Sequence, residues 1–150
     1  IDVDLSNYIV VYAYSERINK IEAEAIQAFA HSKGKKTLSI GVKQSFTDLY
    51  VNVDPFTLLA YIKNADYVIT DTFHGTVFSI KYQIPFATLI RPSNIEKLSD
   101  LLEKFGLSSR TVNDANNIKD VCTEEIDKLN ILKLLKTYRE SAITYLKDNL

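Results

Sequence analysis

Apolar and polar positions fall in blocks whose period switches between that of a strand and that of a helix. Tyr8-Ile-Val-Val-Tyr-Ala-Tyr14 is an unbroken apolar run, the pattern of a strand covered on both faces. Polar Ser15-Glu16-Arg17 follow, and Asn19 is placed to cap a helix through about Ser32. Ile18, Ile21, Ala25, Ala28 and Phe29 give that helix one apolar stripe, and Gly34 marks its end. Lys36 to Val42 predicts a second strand, and Tyr50 to Val53 a short strand or extended link beyond the polar stretch Lys43 to Asp48. Asp54-Pro55 is a helix start, a capping carboxylate followed by proline at the first helical position. That helix runs to about Asn64 and buries Phe56, Leu59, Ala60 and Ile62 in this reading. Tyr67 to Thr70 is a β-branched and aromatic strand, and Phe73 to Tyr82 a helix. Phe86 to Ile90 is a strand behind Pro85, Ile95 to Phe105 a helix stopped by Gly106, and Thr111-Val112 a brief strand. A long amphipathic helix opens at Cys122 or Thr123, with Ile126, Leu129, Leu132, Leu135, Tyr138 and Ala142 on one face.

Strand and helix alternating in this way predict an α/β fold, a Rossmann-like parallel sheet with helices on both faces. No internal repeat, low-complexity segment or linker interrupts it, and 150 residues suit a single domain over 1–150 with one core. The net charge of −1 gives no bulk electrostatic reason to expect nucleic acid or an anionic membrane as a partner. One cysteine, Cys122, excludes an internal disulfide framework and a multi-cysteine metal site. Two histidines, His31 and His74, lie far apart in sequence, so no zinc site is expected. No apolar run approaches the roughly 20 residues of a membrane span. The absence of Met and the Ile-Asp-Val-Asp start lead to the expectation of a segment excised from a longer protein.

The chemistry concentrates where the strand Tyr67–Thr70 hands over to the next helix, through Asp71, Thr72, Phe73, His74 and Gly75. In open α/β sheets ligands bind beyond the carboxyl ends of strands. A helix N-terminus there presents backbone N–H groups that favour an anion. The dinucleotide fingerprint and the Walker loop are both missing; the loop after the first strand, Tyr14-Ser15-Glu16-Arg17, holds no glycine. A two-component receiver domain shares the alternation and would use Asp71, but the first loop offers only Glu16 where acidic residues should cluster.

Asp54-Pro55-Phe56 through Pro85-Phe86, with Asp71-Thr72-Phe73-His74-Gly75-Thr76 at its centre, resembles the polysaccharide pyruvyltransferase family. Leu101 to Arg110 is similar to the segment that follows in family members. The resemblance implies the C-terminal, Rossmann-like half of a GT-B-like two-domain protein, whose missing N-terminal half supplies the other wall of a cleft. It implies a transferase that moves a pyruvyl unit from phosphoenolpyruvate to a sugar of a cell-surface glycan or its precursor, giving a pyruvate ketal. The isolated domain is then expected to be inactive. The expected partners are phosphoenolpyruvate as donor and a glycan or lipid-linked sugar as acceptor, with no cofactor, no metal and no nucleic acid. The expected location is the cytoplasm, with the inner face of the membrane as an extension of that expectation.

Residue by residue, His74 matches the family's motif histidine, implicated in handling phosphoenolpyruvate. Asp71 joins it as a candidate catalytic residue that orients the imidazole or binds a sugar hydroxyl. Thr72, Gly75 and Thr76 are candidates for an anion nest. Many members carry an arginine two residues before the histidine, where this chain has Thr72, which supplies no charge. Arg91, at the edge of the next strand, is the candidate replacement, because a guanidinium grips carboxylate or phosphate bidentately. Plainer roles stand beside these: a helix cap for Asp71, capping or packing for Thr72 and Thr76, a solvated surface residue for Arg91. Ser15 and Glu16 read as plain loop, His31 as a charge at a helix end, Cys122 as structural, and Arg110 as a partner for a local acid. The final helix is a packing element whose exposed stripe could dimerise or reach the missing half. Two other functions fit the same fold: a GT-B glycosyltransferase using a nucleotide sugar, and a non-enzymatic α/β binding module.

Overall fold

A computed structural model describes residues 3–149. Six strands form one wholly parallel sheet: β1 (Tyr8–Tyr12), β2 (Lys36–Ile40), β3 (Leu49–Val51), β4 (Tyr67–Thr70), β5 (Phe86–Leu89) and β6 (Thr111–Val112). Their spatial order is β3-β2-β1-β4-β5-β6. The chain builds outward from β1 to one edge, then returns to the other side of β1 and builds outward again. The direction therefore reverses between β1 and β4, which pair from Ile9↔Tyr67 to Tyr12↔Thr70. That reversal opens a crevice at the strands' carboxyl ends.

The period-2 alternation of strands decides the two cores. Tyr8, Val10, Val68 and Phe86 point to one face, where they meet α2 (Pro55–Lys63), α3 (Phe73–Lys81), α4 (Ile95–Lys104) and α6 (Lys128–Asn149) through Ile62, Ile80, Leu102 and Ile131. Ile9, Val11, Ile69 and Leu89 point to the other, against α1 (Lys20–Ser32) and α5 (Ile118–Thr123) through Ile26, Phe29, Ile118 and Cys122. Strands buried on both sides are apolar at most positions, which is why β1 reads as a continuous run. Helices on both faces are what the alternation predicts.

Helix starts agree closely with the sequence. Asn19 caps α1 in a full capping box, its Oδ1 accepting from the Glu22 amide while the Glu22 carboxylate accepts from the Asn19 amide. Asp54 caps α2 with Pro55 next to it.

Helix faces and one helix boundary depart from the prediction. In α1 the buried residues are Glu22, Ile26, Phe29 and Ala30, while Ile21 is 67% exposed. The helix is rotated because Glu22 turns inward to a buried charge network. In α2, Ala60 and Ile62 are buried but Phe56, in the first turn, is exposed. Thr123 ends a short helix rather than opening a long one. The chain is extended at Glu124 and restarts at α6, where Asp127 Oδ1 accepts from the Asn130 amide (3.0 Å). Arg110 enforces the break: buried, it donates to the carbonyls of Val121 and Glu124, both at 2.6 Å. Its partners are thus carbonyl oxygens, where a local acid was expected. Along α6 the core-facing residue is Ile131, flanked by half-buried Leu134 and Leu135, while Leu129 and Leu132 are exposed.

Candidate functional site

The crevice between β1 and β4 is lined by the loop after β1 and the turn from β4 into α3. Two side chains fix the first loop. Gln44, buried, donates from Nε2 to the Ala13 carbonyl at 3.2 Å. Asp71, buried at the end of β4, accepts from the Tyr14 amide through Oδ1 at 3.2 Å. This second bond crosses the switch point and ties the two strand ends together.

Asp71 is the centre of a charge network. Its Oδ2 lies 3.6 Å from Arg91 Nε, too long for a hydrogen bond, so the contact is Coulombic and both atoms are buried without a hydrogen-bond partner. Arg91 in turn grips Glu22 bidentately, Nη1 to Oε2 at 2.6 Å and Nη2 to Oε1 at 3.0 Å, and Nη2 also donates to the Arg17 carbonyl at 3.1 Å. Asn94 completes the frame, donating to the Asp71 carbonyl (2.9 Å) and accepting from the Arg91 amide (2.7 Å). Burial raises the Asp71 carboxyl above the usual range, and the Tyr14 amide, Arg91 and Arg17 only partly offset it. Burial alone would lower the Arg91 guanidinium, but Glu22 and Asp71 together outweigh it and the net direction is upward.

The start of α3 is built from threonines. Thr70 Oγ1 donates to the Tyr12 carbonyl (2.6 Å), again across the switch point, and accepts from the Thr72 amide (3.0 Å). Thr72 is the N-cap, its Oγ1 accepting from the Gly75 amide at 2.8 Å. Thr76 Oγ1 donates back to the Thr72 carbonyl (2.9 Å) and shares a bond with Thr88 Oγ1 (3.1 Å). Gly75 is dictated by contact, since a Cβ there would sit 2.3 Å from Thr70 Oγ1. Capping leaves the amides of Phe73 and His74, which no intrahelical carbonyl can reach.

The His74 residue is exposed and its imidazole makes no hydrogen bond among the described residues. Its ring meets Phe73 edge-on, centroids 6.1 Å apart, and lies 6.2 Å from Phe78. Lys97, from the first turn of α4, places its ammonium 5.0 Å from the Phe73 ring centre. Across the crevice Arg17 donates to Ser93 Oγ (3.1 Å) and lies 5.6 Å from the centre of the Tyr14 ring. Neither Arg17 nor Lys97 has a salt-bridge partner among the described residues.

The site residues named from sequence therefore divide. His74 stands open at a helix N-terminus beside the switch point. Asp71 is nearby in sequence, but it turns into the fold toward Tyr14 and Arg91 instead of toward the imidazole or a sugar hydroxyl. Thr72 and Thr76 cap and shape the helix with hydroxyls that are already bonded, and the Gly75 amide is taken by Thr72. Arg91, expected as a free anion clamp, is committed to Glu22. Ser15 and Glu16 are exposed loop, and His31 is exposed near the end of α1. Glu22, Asn94, Gln44, Arg17 and Lys97 were not singled out. Glu22 alone had a local signal, its place three residues after the Asn19 cap. No cluster of three or more His, Cys, Asp or Glu residues able to hold a metal occurs among the described residues.

Comparison with known proteins adds three findings. The family model described as polysaccharide pyruvyl transferase matches residues 2–94, more than half of the chain. The tRNA modification GTPase MnmE of Mycoplasma mycoides subsp. mycoides SC is 30% identical over 144 residues, 89% of this chain but 30% of that protein. The chain carries no glycine-rich phosphate loop of the kind a GTPase uses. The crystal structure of the glycosyltransferase SnogD from Streptomyces nogalater superimposes with a TM-score of 0.46 at 14% identity, over 86% of this chain and 38% of that one. The chain thus spans about a third of the length of both.

Proposed function

We propose that this chain, which belongs to the polysaccharide pyruvyl transferase family, forms the donor-binding wall of an enzyme that moves pyruvyl from phosphoenolpyruvate to a sugar. The observation that carries this reading is the open imidazole of His74 on the second residue of α3, at the carboxyl edge beside the β1/β4 switch point. Phosphoenolpyruvate bears a phosphate and a carboxylate, and the crevice offers matching positive potential. The Phe73 and His74 amides supply the helix-dipole share. Arg17 and Lys97, exposed and without an ion-pair partner among the described residues, supply the cations.

In ketal formation two sugar oxygens bond to C2 of phosphoenolpyruvate, the C2–O bond to phosphate breaks, and two hydroxyl protons are released. One proton goes to C3, which becomes a methyl group, and the other leaves with phosphate. An imidazole can both accept and donate a proton, which suits the transfer from hydroxyl to carbon, a contribution of roughly 10²–10⁴-fold. Asp71, Arg91, Glu22 and Asn94 act as positioning residues that hold the two strand-end loops at a fixed separation. The acceptor is a glycan or lipid-linked sugar, the remainder of the protein supplies the facing wall, and the inner face of the membrane is where such an acceptor is met.

Calorimetric titration of the full-length protein with phosphoenolpyruvate and with a set of nucleotide sugars tests this. Phosphoenolpyruvate binds and turns over; His74→Ala abolishes turnover, and Arg17→Ala weakens binding with smaller loss of kcat. Binding of a nucleotide sugar with no response to phosphoenolpyruvate would overturn the donor assignment in favour of glycosyl transfer, a reading that Thr72 in place of the family's arginine keeps open.

A further inference from the structure

Helix α6 is apolar on two sides, and the fold uses one of them. Ile131, Leu134 and Leu135 face the core. About a third of a turn around the helix, Leu129, Leu132, Lys136, Arg139 and Ile143 follow at spacings of three, four, three and four, one continuous strip. The three apolar members are 81%, 48% and 45% exposed among the described residues. The helix holds five basic and two acidic residues in a chain whose net charge is −1. Beside the strip a groove of about 620 Å³ opens between α3, α4 and α6. Its floor includes Ile80, Leu101 and Phe105, its rim carries Lys81, Lys136 and Arg139, and no acidic side chain lines it. None of these three cations forms a salt bridge among the described residues.

We infer that this face of α6 is a docking surface for an anionic lipid bilayer. Leu129, Leu132 and Ile143 enter the boundary between headgroups and acyl chains. Lys136 and Arg139 lay their stems along it and hold their charges at the phosphates. The apolar groove widens the contact beyond a single helical line. The helix rests on the bilayer rather than crossing it, since no described helix is long and apolar enough to span. Charge sign selects this occupant over a second copy of the chain. Two identical strips packed together would bury Lys136 and Arg139 against one another, which like charges and desolvation both oppose. The surface lies on α6, away from the β1/β4 crevice, so its test is independent of the transfer reaction.

Flotation of the full-length protein with vesicles of phosphatidylcholine alone, or with added phosphatidylglycerol, tests the inference. The protein floats with the anionic vesicles, less so as salt is raised, and not with the neutral ones. Lys136→Glu with Arg139→Glu lowers the partition roughly tenfold or more. Leu129→Gln with Leu132→Gln lowers it as well, and circular dichroism reports an unchanged fold for both pairs, because all four side chains are exposed. Equal partition with neutral and anionic vesicles, or no response to the charge reversal, overturns it. So does self-association that Leu129→Gln with Leu132→Gln removes while no vesicle binding is found, which would assign the strip to a second copy. Capture of an acidic protein without vesicle binding likewise overturns it.

Discussion

Gly75 shows how one residue can carry two meanings. From sequence it belongs to a motif and suggests backbone amides open to an anion. In the fold its amide is already taken by the Thr72 cap, and its missing side chain is what lets α3 seat on β4. Thr70 cannot give way, because its hydroxyl holds the Tyr12 carbonyl across the switch point. Gly75→Ala therefore lowers stability by about 1–3 kcal/mol through overpacking. Urea denaturation monitored by fluorescence measures this, and a loss near zero would mean that α3 shifts freely. The place of His74 at a strand-to-helix turn was legible because the end of β4 and the start of α3 follow from local pattern. The roles of Asp71 and Arg91 were not, because both depend on Glu22, Tyr14 and Asn94. Glu22 and Arg91 are 69 positions apart, joined only by the fold.

At the scale of elements, starts were read well and faces were not. Caps are local chemistry: Asn19 and Asp54 each satisfy an amide three residues on, and the chain states that directly. Which stripe of a helix is buried depends on what it packs against. Leu129 and Ile131 on α6 have the same apolar character, yet one is almost fully exposed and the other fully buried. Ile131→Ala is expected to cost about 2–5 kcal/mol and Leu129→Ala less than about 0.5 kcal/mol. Equal losses in paired urea titrations would show that α6 packs through the other stripe. The break between α5 and α6 escaped the sequence for the same reason. It is held by Arg110 from another element, and no periodicity near Thr123 reports that.

Over the whole molecule, the strand order sets a gradient of protection. β1 and β4 lie in the middle of the sheet with helices on both faces, while β3 is a three-residue edge with exposed Leu49 and Tyr50. Amide exchange is expected to be slowest at Val10 and Val68 and orders of magnitude faster at Tyr50. Comparable protection in β3 would mean that this edge is covered. The same centre of the sheet carries the crevice, so the candidate site sits at the ends of the two central strands while its cations, Arg17 and Lys97, are exposed.

The sequence by itself determined the alternation of strands and helices, the helix caps, the doubly covered sheet and the place of His74, because each follows from contacts within a few residues or from the two short periods of regular structure. Tertiary structure decided which helix faces are buried, where α5 ends, and which of the charged residues are free. Those outcomes depend on partners far away in sequence: Glu22 on Arg91, Asp71 on Tyr14, Arg110 on the end of α5. A residue's ability to bind an anion is set by whether a neighbour already neutralises it, and only the fold supplies the neighbour.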